Sequence, residues 1–266
     1  MDSDVARALS YNVRYDEPTD EYDWARRRDA VVDAIRFHRP DVVGLQETLP
    51  HQLEDVRAGL PDFEWVSRTR QADEGEGEAC PVGHRTARLE RLDSGTFWLA
   101  ETPDQPGSVG WDARLPRIAT WVRFRDRDTG GRLVYLNTHL DHEAERARRE
   151  GARLIRDRLA ALRDGAPALV AGDWNCTPGE EPYAILAGRG DTDSPLVPAD
   201  EAAPRGRFGP TTTRTDFEEL LPDRAIDHAF VAGLSVEQCG VAADVVGDGW
   251  YPSDHLPLVV DFSVEE

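Results

Sequence analysis

The sequence contains no lysine. All 31 of its basic residues are arginine, set against 51 acidic ones, for a formal net charge of −20 over 266 residues. Dense carboxylates without lysine fit a chain adapted to high salt. There the Debye length falls to about 3 Å at 1 M, and self-repulsion becomes short-ranged. The plainer alternative is an acidic protein from a GC-rich genome. Cysteine is scarce as well. Cys80, Cys176 and Cys239 are odd in number and far apart, which excludes a disulfide framework and any pair at zinc-ligand spacing. Long hydrophobic runs are missing: no stretch approaches the roughly 18 apolar residues of a membrane span. The opening "MDSDVARALSYNVR" has neither the basic nor the apolar region of a signal peptide. The expectation is a soluble, cytoplasmic protein that acts at no membrane and shows no obligate protein partner.

What is present is an α/β pattern over one domain, residues 1–266. "VARALSY" (5–11) alternates like a strand, and "WARRRDAVVDAIRFH" (24–38) has helical spacing at Val31, Ala34, Ile35 and His38. "DVVGLQE" (41–47) is a short strand ending in an acid. The order recurs in "RLVYLNTH" (132–139), a helix over 143–162, and "PALVAGD" (167–173). Two strand–helix–strand units predict parallel pairing within each half. Strands are also expected over 91–99, 118–124, 226–232 and 256–262. "TPGE" (177–180) reads as a capping box with Pro178 opening a short helix. Residues 71–79 and 188–217 carry no clear pattern, and long loops of this kind often border sites.

Polar clusters stand at the strand ends: "YNVR" (11–14), "QET" (46–48), "NTHLDH" (137–142), "GDWN" (172–175) and "SDH" (253–255), with "AID" (225–227) at a strand start. Each alone is explained by turn chemistry or by a structural histidine. Together they offer carboxylate and amide oxygens, spare imidazoles and no thiols. That donor set suits Mg²⁺ or Mn²⁺, and also Ca²⁺, over Zn²⁺.

The order Asn12, Glu47, His139, Asp173-x-Asn175, Asp227, Asp254-His255 resembles the endonuclease/exonuclease/phosphatase superfamily over residues 5–262. "LQE", "GDWN" and "SDHLP" are its most specific pieces. "YNVRYD", "LDSGTFWLAETPDQPG" and "NTHLDH" resemble a bacterial and archaeal branch of it. The resemblance implies a four-layer α/β sandwich, two mixed sheets face to face with helices outside and a site at the top edge. It implies a phosphoric ester hydrolase. Glu47 with Asn12 would hold the metal, and Asp254 would reach it directly or through water. Asp173 would orient or deprotonate the attacking water. Asn175 would donate to a phosphate oxygen, and His139 would bind phosphate or protonate the leaving oxygen. Asp227 would orient His255, Arg117 would clamp phosphate, and Glu78 would support His139. The family's usual Glu-Phe-x-Pro-Ile-Phe-Tyr is here "EACPVGHR" (78–85). The change questions the packing beneath that strand and places His84 as a possible polar neighbour of the site. His84, His142 and His228 otherwise read as structural or solvated.

Nuclease and small-molecule esterase differ in what they must bind. A nucleic-acid binder normally carries a basic stripe. Here "RRR" (26–28) and "RARR" (146–149) lie on predicted helices away from the strand tops, and the mouth is flanked by acidic "ADEGEGE" (72–78) and "DTDSPLVPADE" (191–201). The expected substrate is therefore a small or single-stranded phosphoester. A DNA or RNA nuclease is the alternative, and a non-catalytic scaffold of the same fold the remote one.

Overall fold

The computed structural model of the protein describes residues 4–190, 194–247 and 249–264. In chain order its elements are β1 (Val5–Asn12), α1 (Trp24–His38), β2 (Val42–Gln46), α2 (Pro50–Gly59), β3 (Phe63–Val66), β4 (Val82–Arg85), β5 (Leu89–Trp98), β6 (Ile118–Asp126) and β7 (Arg132–His139). Then follow α3 (Glu145–Arg163), β8 (Ala168–Asp173), α4 (Glu181–Leu186), β9 (Val197–Pro198), α5 (Ala199–Ala202), β10 (Arg207–Phe208), β11 (Asp227–Ala232), β12 (Ser235–Val241) and β13 (Leu258–Ser263).

Seven strands form one sheet in the order β10-β12-β13-β1-β2-β4-β3, and six form the other, β5-β6-β7-β8-β11-β9. The two strand–helix–strand units pair in parallel, β1 with β2 and β7 with β8, as expected. Their neighbours run antiparallel, so both sheets are mixed.

Three apolar layers define the sandwich. Ala6, Ala8, Val42, Tyr135, Leu169, Val231, Val260 and Phe262 belong to the core between the sheets. Ile155 and Leu159 of α3 and Leu186 of α4 cover the outer face of the six-stranded sheet. Trp24, Val31 and Ile35 of α1 with Val56 of α2 cover the seven-stranded one. The result is the four-layer arrangement, helix, sheet, sheet, helix.

The "TPGE" stretch departs from expectation. Thr177 N–H and Oγ1 both donate to Glu180 Oε2, at 2.6 and 2.9 Å, but these bonds close a turn. The helix begins at Glu181, with Pro182 in its first turn. The replaced aromatics near residue 83 leave no gap: the Trp65 ring lies 2.8 Å from where a Gly83 Cβ would stand, and His84 packs on Phe124 at 4.9 Å between centroids. His84 pairs with Val42, at the opposite end of β2 from Gln46, so it adds nothing polar to the strand tops.

Candidate active site

Period-two alternation builds the site. On β1, Ala6 and Ala8 face the inter-sheet core, and two and four residues on come Ser10 and Asn12. On β7, Leu133 and Tyr135 lead to Asn137 and His139. On β8, Leu169 and Ala171 lead to Asp173. On β11, Asp227 precedes Ala229 and Val231. The polar residues thus continue the inward faces at one end of the sandwich, where parallel strands place ligands. Three backbone outliers stand there: Arg14, Glu47 and Asn175 have φ of 57°, 59° and 47°, left-handed values that non-glycine residues adopt at a cost.

Asp173 Oδ2 is the focus. Asn12 Nδ2 donates to it at 3.0 Å, His139 Nε2 lies 3.4 Å away and His255 Nε2 3.6 Å. Its other oxygen accepts the Asn175 backbone N–H at 2.9 Å. Asn12 Nδ2 also donates to Glu47 Oε1 at 3.0 Å, while its Oδ1 accepts from Arg14 N–H. Glu47 Oε2 accepts from Tyr15 N–H at 3.1 Å. Asp227 Oδ2 lies 2.8 Å from His255 Nδ1. Ser253 Oγ donates to Asn12 O at 2.7 Å, tying the "SDH" loop to the top of β1.

A cavity of about 620 Å³ opens onto these groups. Glu47, Glu78, Arg117, His139, Asp173, Asn175, Asp254 and His255 line it, whereas Asn12 and Asp227 stand behind them, fully buried. Glu78 lines the wall, but both its oxygens take the fork of Arg70, at 2.9 and 2.6 Å. Arg117 Nη2 contacts His142 Nδ1 at 2.8 Å. His228, with Nε2 against Cys176 O at 2.9 Å, is structural.

The sequence reading placed Arg117 at the site and missed the other arginines of the cavity. Arg14, Arg70, Arg114, Arg117, Arg214 and Arg224 all line it. They are scattered along the chain, so no cluster announces them. Among the described residues of the two acidic flanks only Glu78 reaches the lining. Asp191, Thr192 and Asp193 fall outside the described residues. Arg214, from the unassigned 188–217 stretch, pairs with Asp254 Oδ2 at 3.0 Å and contacts His255 Nε2.

Burial and the neighbouring Arg117 and Arg70 hold the His139 pKa well below its ordinary value, so its imidazole is neutral. Burial alone would do the same to His255. The facing Asp227 and Asp173 outweigh it and push its pKa up to about 9. The Arg214 contact needs an unprotonated Nε2, but Arg214 is itself drawn to Asp254, and the carboxylates around the ring favour the cation. Burial raises Asp173, against the pull of His255. A hard divalent cation fits this chemistry. Glu47, His139 and Asp173 each offer a ligand atom, all within 4.8 Å of one another, and among the described residues each Glu47 oxygen accepts one hydrogen bond, leaving lone pairs for an ion.

The family model described as "Endonuclease/Exonuclease/phosphatase family" matches residues 9–255. The chain belongs to this family. A family protein of known structure from Bacteroides vulgatus is 37% identical, with a TM-score of 0.91 over 98% of this chain and 99% of its own. A mannosyl-6-phosphatase from Bacteroides thetaiotaomicron is 32% identical, with a TM-score of 0.88 over 97% and 99%. Drosophila nocturnin is 24% identical over 93% of this chain, which spans 43% of that protein. Endonuclease/exonuclease/phosphatase proteins are hydrolases of phosphoester bonds. Among the described residues no helix is long and apolar enough to cross a membrane.

Proposed function

We propose that this family member is a divalent-metal-dependent hydrolase of a small or single-stranded phosphoester. One observation carries the reading: six arginines converge on one cavity in a protein of net charge −20. The six arginines outnumber the four carboxylates of the same lining, Glu47, Glu78, Asp173 and Asp254, an excess that favours an anionic group beside the cation site. The cavity's 620 Å³ lies within the roughly 300–1,000 Å³ of small-ligand sites. The likeness to a phosphatase named for a mannosyl phosphate supports a small substrate, and a phosphorylated sugar is the first class to try.

In this reading Glu47 would be the main ligand of Mg²⁺ or Mn²⁺, with Ca²⁺ also compatible. Asn12, which donates to Glu47, would hold the ion with it, and Asp254 would support the ion directly or through water. When bound, the ion stabilises charge on the phosphoryl oxygens. The protein's own groups supply the rest. Asp173 accepts the proton of the attacking water as that water's oxygen bonds to phosphorus and the ester P–O bond breaks, and the leaving oxygen takes its proton from solvent. Asn175 Nδ2 and the Arg117 fork hold phosphate oxygens. His255, kept protonated and oriented by Asp227, faces the charge that develops in the transition state. His139, neutral, serves as a hydrogen-bonding partner of the phosphate rather than as an acid.

The arginines also weaken the charge-based case against a nuclease, which is the second reading, since they would take a single strand's phosphates as well. The test is hydrolysis of bis-p-nitrophenyl phosphate and of sugar phosphates with Mg²⁺ or Mn²⁺, in competition with duplex and single-stranded DNA. Metal-dependent turnover of a small ester, abolished by EDTA, is expected. Full activity in EDTA would sink the metal assignment. Efficient nicking of duplex, with strong inhibition by it, would favour the nuclease.

A further inference from the structure

The "RRR" run on α1 splits in the fold. Arg26 and Arg28 are exposed, but Arg27 is fully buried. It stands three residues after Trp24 and four before Val31, on the stripe that α1 buries. Among the described residues no carboxylate pairs with it. Its guanidinium donates only to backbone carbonyls: Nε to Tyr22 O at 2.6 Å, Nη1 to Val13 O at 2.6 Å and Pro252 O at 3.2 Å, and Nη2 to Arg14 O at 3.1 Å and Tyr15 O at 3.5 Å.

Those carbonyls belong to peptide units whose other ends do work in the site. Val13 C=O and Arg14 N–H share one planar trans peptide, so fixing the carbonyl aims the N–H the opposite way. That N–H donates to Asn12 Oδ1 at 2.9 Å. Arg14 C=O and Tyr15 N–H share the next peptide, and that N–H donates to Glu47 Oε2 at 3.1 Å. Arg14 between them holds a φ of 57°, a conformation that persists only where its surroundings fix it. Pro252 immediately precedes Ser253, whose Oγ donates to Asn12 O.

We infer that Arg27 is a positioning residue: through two peptide planes it aims the amides that hold Asn12 and Glu47, and through Pro252 it locks the "SDH" loop to the same frame. A guanidinium is suited to this because its five donors lie in a fixed plane. An ammonium presents three donors from one point and cannot span carbonyls on both segments. The inference rests on the proposed metal-dependent reading, in which Glu47 holds the ion.

The experiment compares wild type, Arg27→Lys and Ile35→Ala. The last opens a gap under the same helix, away from the site loops, and serves as the purely structural control. Mn²⁺ affinity is measured by calorimetry, and kcat and KM on bis-p-nitrophenyl phosphate well below each Tm. Arg27→Lys should raise the Mn²⁺ Kd at least about fivefold and lower kcat at saturating Mn²⁺ about tenfold, with KM changed far less. Ile35→Ala should lower Tm and leave the other values near wild type. If Arg27→Lys matches Ile35→Ala, losing only Tm, the inference is overturned. Should Arg27→Lys not fold, wild-type protein labelled with ¹⁵N-arginine decides: the Arg27 Nε–H resonance should shift in step with Mg²⁺ saturation, and an unmoved resonance overturns the inference. Absence of metal binding by wild type overturns this inference and the reading beneath it. Wild-type binding with an indifferent Arg27→Lys overturns this inference alone.

Discussion

Asp173 and His255 occupy the centre of the geometry, and their removal should separate chemistry from folding. Asp173→Asn keeps a partner for Asn12 but cannot take a proton. His255→Ala removes the cation held by Asp227. Each should lower kcat by at least about 10²-fold, the scale of one positioned acid–base or charge-stabilising group, with the far-UV spectrum unchanged. Near-normal turnover in both would remove them from the mechanism. His228 makes a different prediction. Burial lowers its pKa from 6.5 to about 4, although its bond to Cys176 O favours the proton. A base whose pKa is lower folded than unfolded stabilises the neutral fold above the unfolded value. That stability is lost as pH falls from about 6.5 through about 4, on the order of 3 kcal/mol if the whole shift is expressed. His228→Gln should flatten the acid side of the Tm–pH curve over that window. A profile as steep as wild type would show that other groups set it.

At the level of elements, burial decided what could be read. β1, α1, β2, β7, α3 and β8 stand within a residue or two of where periodicity placed them, because each buries one face or both and carries a clean repeat. α2, β3, β4 and β12 were not foreseen. β3 is short and half-exposed, β4 is four residues of "VGHR", and β12 alternates with Gln238 and Gly240 in place of apolar residues. The site's carboxylates and imidazoles were legible because strand ends collect them. Of its arginines only Arg117 was, since Arg14, Arg70 and Arg214 join it only through the closed topology. One glycine shows how tightly the elements close. A Cβ on Gly44 of β2 would lie 2.7 Å from both Asn137 Cγ and Tyr135 Oη of the facing sheet. Asn137 in turn takes Gln46 Nε2 at 2.6 Å and donates to Leu45 O at 2.7 Å. Gly44→Ala should therefore destabilise by about 1–3 kcal/mol, the usual cost of overpacking, read as a lower urea midpoint at constant m-value. An unchanged midpoint would mean that the sheets can part at no cost.

For the whole molecule the charge is divided by place: arginines outnumber carboxylates six to four in the lining of one cavity, while the chain as a whole carries a net charge of −20. The surface carries many arginine–carboxylate pairs, among them Arg26–Glu21, Arg36–Asp33 and Arg158–Asp104. Exposed pairs of this kind contribute about 0–1 kcal/mol each, and salt weakens them. Taken alone they would make the protein less stable in brine. Opposing them is the excess of carboxylates behind the net charge of −20, which repel one another more strongly in the compact state than in the expanded chain. The pairs act over a few ångströms and the excess acts over the whole surface. Shortening the Debye length from about 10 Å at 0.1 M to about 3 Å at 1 M therefore removes more repulsion than attraction. Pairs such as Arg88–Asp126, whose carboxylate is fully buried, lie beyond the reach of screening. Tm should rise with KCl or NaCl from 0.1 M into the molar range, most steeply below about 1 M where screening changes fastest. The two salts should act alike if screening, rather than a bound ion, is the cause. A Tm that falls steadily between about 0.1 and 2 M would show that the surface pairs outweigh the net charge, and that the missing lysines are not an adaptation to salt.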